Sequence, residues 1–74
     1  MKNREGRILR ERRLELGISQ FKMAAELRMP IGQYQRYESG ETPLSRCQMR
    51  IGLRICAILE LDPYEVIFGS GIQI

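Results

Sequence analysis

The stretch that decides the fold is Gly17–Gly40, GISQFKMAAELRMPIGQYQRYESG. It is punctuated like two helices around a tight turn. Ser19 is a good N-cap, because its hydroxyl can accept one of the first N–H groups of the helix that follows. Ile18 before it can pack against Met23 as a hydrophobic staple. Phe21, Met23, Ala24 and Leu27 supply the apolar side of a helix that ends near Leu27 or Arg28. Ala24 and Ala25 are small, which lets another helix come close. Pro30 has no N–H to donate and disfavours the α region at Met29, so a boundary falls within Arg28-Met29-Pro30. A second helix then starts at Pro30 or Ile31 and carries Tyr34 and Tyr37 on one face. It stops before Ser39-Gly40, with Gly40 as the left-handed residue that closes it.

On the N-terminal side, a helix is expected from about Arg4 to Leu16. Asn3 is its cap and Glu5 favours the first turn. Leu9, Arg13 and Leu16 fall at helical spacing, Ile8 and Leu14 widen the stripe, and Gly17 ends it. On the C-terminal side, Thr42-Pro43 opens a helix that continues to about Leu59, capped by Thr42 or Ser45. Ile51–Leu59 is almost all apolar except Arg54, which predicts the most buried helix. Gly52 is either a close-packing site or a break that splits the segment. Arg46, Arg50 and Arg54, four apart, predict one exposed stripe. Asp62 caps a last short helix with Pro63 in its first position, followed by Tyr64, Val66, Ile67 and Phe68, and Gly69-Ser70-Gly71 ends it. Residues 1–69 thus read as one domain and 70–74 as a tail. Ile72-Gln73-Ile74 is either loose or an edge that packs on a partner chain.

The 74 residues suit one small domain, with a net charge of +3. Residues 1–54 hold all 12 bases and six acids, whereas residues 55–74 hold Glu60, Asp62 and Glu65 and no base. A basic body with an acidic end suits one face turned to a polyanion. Cys47 and Cys56 lack CxxC spacing, and the chain has no His, so a metal site is not expected and two small core or half-buried thiols in a reducing cytosol are. No apolar run approaches the ~20 residues that span a membrane. The charged N-terminus, MKNREGRILRERR, does not read as a signal peptide, and a cytoplasmic location is expected. There is no nucleophile beside a base and no Gly-rich phosphate loop. Neither enzymatic activity nor a cofactor or small-molecule substrate is expected.

Taken together, these features resemble the helix-turn-helix domains of the phage-repressor type, that is, the lambda-repressor, Cro and Xre-like proteins. The residues that carry the resemblance are Leu9, Arg13, Gly17-Ile18-Ser19-Gln20, Met23-Ala24, Leu27, Tyr34, Tyr37-Glu38, Gly40 and LELDPYEVIF at Leu59–Phe68. The resemblance implies an all-α, compact bundle of about five short helices. It implies a sequence-specific DNA-binding transcriptional regulator, a repressor of a mobile element or small operon, acting as a homodimer on double-stranded DNA. Helix 2 would cross the backbone and helix 3 would enter the major groove. Ala24 would be small because helix 3 packs over it. Arg13 and Glu38 stand where relatives often form an internal ion pair. Tyr34 and Tyr37 stand where relatives place core Ile or Leu; they read as core residues with wet hydroxyls, or else as base-stacking groups.

The resemblance also maps DNA-binding positions. Ser19 is first a cap and second a phosphate contact. Gln20 either bonds a phosphate or buttresses the first turn of helix 3. The reading positions fall on Pro30, Ile31, Gly32, Gln33 and Arg36. Arg36 suits guanine, with a phosphate clamp as its alternative. Gln33 suits adenine or a phosphate. Ile31 suits a thymine methyl, or packs half-buried against Met29. Lys22, Arg28, Arg46 and Arg50 would add sequence-independent affinity. The chain departs from the pattern in three places. Ile31 and Gly32 offer no side-chain hydrogen bond, Arg28 replaces the usual Gly, and Gly40–Leu59 is about one turn longer. The first implies sparse base readout that leans on DNA shape, and the last puts the half-site spacing in question. A protein-interaction module, such as an antitoxin or a regulator that binds a partner protein, is the alternative function. It would use Ile31-Gly32 or the apolar Val66–Phe68, Ile72 and Ile74.

Overall fold

The structure, a computed structural model, describes residues 4–69. The expected cap at Asn3 and the tail 70–74 lie outside the described residues. All regular structure among these residues is helical: α1 (Arg4–Glu15), α2 (Gln20–Leu27), α3 (Ile31–Ser39), a 3₁₀ turn (Leu44–Arg46), α4 (Met49–Leu59) and α5 (Pro63–Phe68). The all-α class and the five-helix bundle are as expected. One core runs through them, built from Leu9, Met23, Ala24, Tyr34, Tyr37, Leu44, Ile55, Cys56, Leu59 and Val66.

Three helix ends share one hydrogen-bond pattern. After α1, Gly17 N–H donates to Leu14 O (3.1 Å) and Ile18 N–H to Arg13 O (3.0 Å). After α2, Arg28 N–H reaches Ala25 O (3.1 Å) and Met29 N–H reaches Ala24 O (3.0 Å). After α4, Glu60 N–H reaches Ala57 O (3.2 Å) and Leu61 N–H reaches Cys56 O (2.8 Å). This motif needs a left-handed residue to turn the chain out. Gly17 meets the need without strain, whereas Arg28 and Glu60 adopt it at φ 58°.

Arginines of α1 fasten the C-terminal helices. Arg4 donates to Val66 O (2.8 Å) and Glu65 O (2.9 Å), and Arg12 donates to Leu59 O (2.9 Å). These carbonyls belong to the last turns of α5 and α4, where acceptors are left over and the helix dipole is negative. A Cβ at Gly69 would stand 3.3 Å from the Arg4 guanidinium. Much of the basic character of α1 is therefore structural.

Several expectations need correction. Phe21 and Leu14, expected on apolar sides, are 73% and 53% exposed; α2 is only two turns long and buries the narrow stripe of Met23 and Ala24. The segment from Thr42 to Leu59 is not one helix. Leu44, buried, holds a 3₁₀ turn, Cys47 and Gln48 are extended, and α4 starts afresh at Met49. Neither Thr42 nor Ser45 caps it; Gln48 occupies that position without a side-chain bond. The break falls at Cys47–Gln48, and Gly52 is a close-packing site, where an added Cβ would meet Cys47 Sγ at 3.1 Å. Arg46 therefore leaves the stripe of Arg50 and Arg54, because it is on the 3₁₀ turn. α4 is amphipathic rather than buried all round: Ile55, Cys56 and Leu59 face inward and Leu53 is exposed. Burial pushes up the pKa of both free thiols, Cys47 and Cys56. Asp62 caps α5 as expected, accepting from Tyr64 N–H at 2.9 Å. No helix among the described residues is long and apolar enough to cross a membrane.

Candidate nucleic-acid interface

The angle between α2 and α3 is locked by a polar cluster rooted in α1. Arg13 donates from Nε to Glu38 Oε2 (2.6 Å), from Nη2 to Glu38 Oε1 (3.2 Å) and from Nη1 to Ile18 O (2.9 Å). Both side chains are buried, 8% and 4% exposed, so this forked pair is hardly screened by solvent. Gln20 Nε2 donates to Glu38 Oε1 (3.0 Å), and Gln35 Nε2 donates to Gln20 Oε1 (3.0 Å). The chain Arg13–Glu38–Gln20–Gln35 thus links α1, α3 and the start of α2. Burial opposes ionisation of Glu38, but bonds from Arg13 and Gln20 and the nearby Tyr34 hydroxyl outweigh it, and its pKa is lowered. The hydrogen bond with Glu38 is the main reason Arg13 is raised. Tyr34 is raised, first by burial. Its hydroxyl is buried without a hydrogen bond of full geometry, close enough to Glu38 to act on that carboxylate. The expected wet hydroxyl is corrected at Tyr34; the core placement of Tyr34 and Tyr37 stands at 0% and 4% exposure.

Ser19 caps α2, accepting from Lys22 N–H at 3.0 Å, and remains exposed. Both ends of the Gln20 amide are engaged within the chain, and it buttresses the second turn of α3, at Gln35 and Glu38, rather than the first. Pro30 precedes α3 in extended conformation; its carbonyl accepts from Gln33 N–H (3.0 Å) and Tyr34 N–H (3.3 Å). Ile31 and Gly32 are exposed on the first turn, Gln33 is half-buried, and Arg36 is exposed, with no side-chain partner among the described residues.

With Tyr34, Tyr37 and Glu38 turned inward, helical geometry sends Gly32 and Arg36, one turn apart, outward. Gln35 joins them, exposed and tethered at one end to Gln20. Sequence reasoning misses Gln35. Its position four residues after Ile31 and next to Arg36 is the signal that could have found it. Nothing lies within 4 Å of a Cβ built at Gly32, so no contact within the chain requires a glycine there. The outward face of α3 is therefore low at Gly32, apolar at Ile31 and polar at Gln35 and Arg36.

Neither the curated proteins nor the solved structures offered a match to this chain. The sequence model of the helix-turn-helix family matches residues 9–46, just over half of the chain. That span holds α2, the turn, α3 and the Arg13–Glu38 pair that fixes them, and the chain belongs to the helix-turn-helix family, of the Xre and lambda-repressor type.

Proposed function

We propose that the protein is a sequence-specific DNA-binding transcriptional regulator that acts as a repressor, with α3 in the major groove. The observation that carries this reading is the division of labour along α3. Its inner face is committed to a buried network that holds it against α1 and α2, while Ile31, Gly32, Gln35 and Arg36 are exposed. A rigid helix with a free outer face is what groove recognition needs, since base edges are read at fixed geometry. In this reading Arg36 donates to guanine, Gln35 and Gln33 bond bases or phosphates, and Ile31 meets a thymine methyl. Pro30 and Gly32 let the first turn come close to the bases. Ser19 and the α2 N-terminus face a phosphate. Gln20 acts mainly by holding Gln35 and Glu38.

A homodimer on a two-fold site fits this function. Met49, Leu53, Tyr64 and Phe68 are all exposed on α4 and α5, and together they offer the apolar area that such pairing would cover. The same apolar residues would serve the alternative of a module that binds a partner protein. Selection of bound sequences from a random duplex pool tests the main reading. The wild type should return a defined site. Arg36→Ala should bind it about 1–3 kcal/mol more weakly and relax one position. No enrichment with the wild type, and no salt-dependent binding to any duplex, would leave the protein-partner reading in its place.

A further inference from the structure

We infer that the chain has a second DNA contact, a phosphate clamp in the cleft between α2 and α4, formed by Arg28, Arg50 and Arg54. The inference rests on the DNA-binding reading above and adds a surface outside the helix-turn-helix itself. The cleft has a volume of about 530 Å³ and is lined by these arginines together with Glu26, Gln48, Leu27 and Ile51. Three arginines line it against one acidic residue, Glu26, and that carboxylate is engaged with Lys22 at 3.6 Å. Arg54 makes only a long bond, 3.5 Å, to the Glu26 carbonyl. Arg28 and Arg50 have no side-chain partner among the described residues. By contrast, Arg4, Arg12 and Arg13 are each held by carbonyls or carboxylates of the chain. Three like charges against one carboxylate leave a net positive cleft, and an anion relieves the repulsion. Guanidiniums suit phosphate because their N–H groups can grip two oxygens at once. Gln48, which lines the cleft without capping α4, can donate to the same anion.

Position favours the DNA backbone as the source of that phosphate. Arg28 closes α2 in left-handed conformation and stands three residues before Ile31. Three residues span at most about 11 Å. The major groove is about 12 Å wide between its phosphate walls. With the first turn of α3 in the groove, Arg28 is therefore within reach of a phosphate wall. Leu44 and the extended Cys47–Gln48 link start α4 on this side of the domain, which brings Arg50 and Arg54 opposite Arg28 and leaves Arg46 out.

The test compares Arg50→Gln/Arg54→Gln with Arg7→Gln/Arg10→Gln. The second pair removes the same charge from exposed positions of α1 that do not line the cleft. Binding to the selected duplex and to a random duplex is followed by fluorescence anisotropy over a range of salt, with thermal melts to verify folding. The cleft pair should bind both duplexes roughly tenfold more weakly at ~0.1 M salt for each phosphate it no longer grips, and the slope of log K against log salt should become shallower by about 0.9 per phosphate. Base preference should not change. The α1 pair should shift the slope much less. An unchanged slope in the cleft pair, or equal shifts in both pairs, overturns the clamp. If Arg36→Ala still alters base preference in that case, the clamp falls alone. If the folded wild type binds neither duplex, both readings fall.

Discussion

Glu38→Ala is the most informative single perturbation of this fold. Glu38 and Arg13 are 5% and 7% exposed and are joined by two hydrogen bonds. Truncating Glu38 leaves the Arg13 guanidinium buried without its carboxylate, held by the Ile18 carbonyl and the nearby Tyr34 hydroxyl. It also takes the acceptor from Gln20 Nε2, and so loosens the hold on Gln35. Breaking one side of a buried pair costs about 3–5 kcal/mol, because the remaining charge is stranded away from water. A 74-residue domain has roughly 4–11 kcal/mol in all, at ~0.05–0.15 kcal/mol per residue. The loss is therefore a large share of the total stability. At ~4–8 °C per kcal/mol for a domain of this size, a loss of about 3–5 kcal/mol lowers Tm by roughly 12–40 °C. Urea titration followed by circular dichroism measures the loss as a lower midpoint at unchanged slope. Arg13→Met/Glu38→Leu removes both charges and should recover to within about 1–2 kcal/mol of the wild type. A loss of only a few tenths of a kcal/mol in Glu38→Ala, as for an exposed pair, would refute the claim that this bridge is buried and holds the fold.

Three further outcomes are expected. The lowered pKa of Glu38, below its ordinary 4.5, means that its contribution is complete above that value and is lost as pH falls through the folded pKa. The urea midpoint should therefore drop below about pH 5, and Glu38→Gln should flatten that part of the profile. Arg28→Gly relieves a left-handed non-glycine residue at φ 58° and should raise stability by about 0.5–1 kcal/mol in a thermal melt. The same change should weaken duplex binding at low salt, because it takes a guanidinium from the cleft. Gly32→Ala should stabilise α3 by up to ~1 kcal/mol, since nothing in the chain stands in the way of the added Cβ. It should also reduce duplex affinity if the first turn approaches the bases closely; a gain in both would show that the groove does not need the glycine.

Much of this molecule is legible in its residues because its helix boundaries are set locally. Ser19, Gly17, Pro30, Gly40 and Asp62 act on neighbouring N–H groups and dihedrals, and the structure uses each as its chemistry dictates. The inward stripes of Leu9 and Arg13, Met23 and Ala24, and Tyr34 and Tyr37 follow from helical period alone. What the residues leave open is non-local. Whether Gln20 faces a phosphate or the protein depends on where Glu38 and Gln35 stand once α2 and α3 have packed. Whether Thr42–Leu59 is one helix or two depends on Leu44, whose burial against distant parts of the core outweighs the local preference to continue. Arg46, Arg50 and Arg54 share a period along the chain, yet only Arg50 and Arg54 line a cleft with Arg28, because that grouping is created by a break in the backbone and a neighbour from another helix. Sequence by itself determined the helices α1, α2, α3 and α5 and the central buried stripe of the first three. Tertiary structure decided which polar side chains are used up inside the fold and which remain outside for a partner, because hydrogen bonds and like-charge clusters depend on distances that only packing sets.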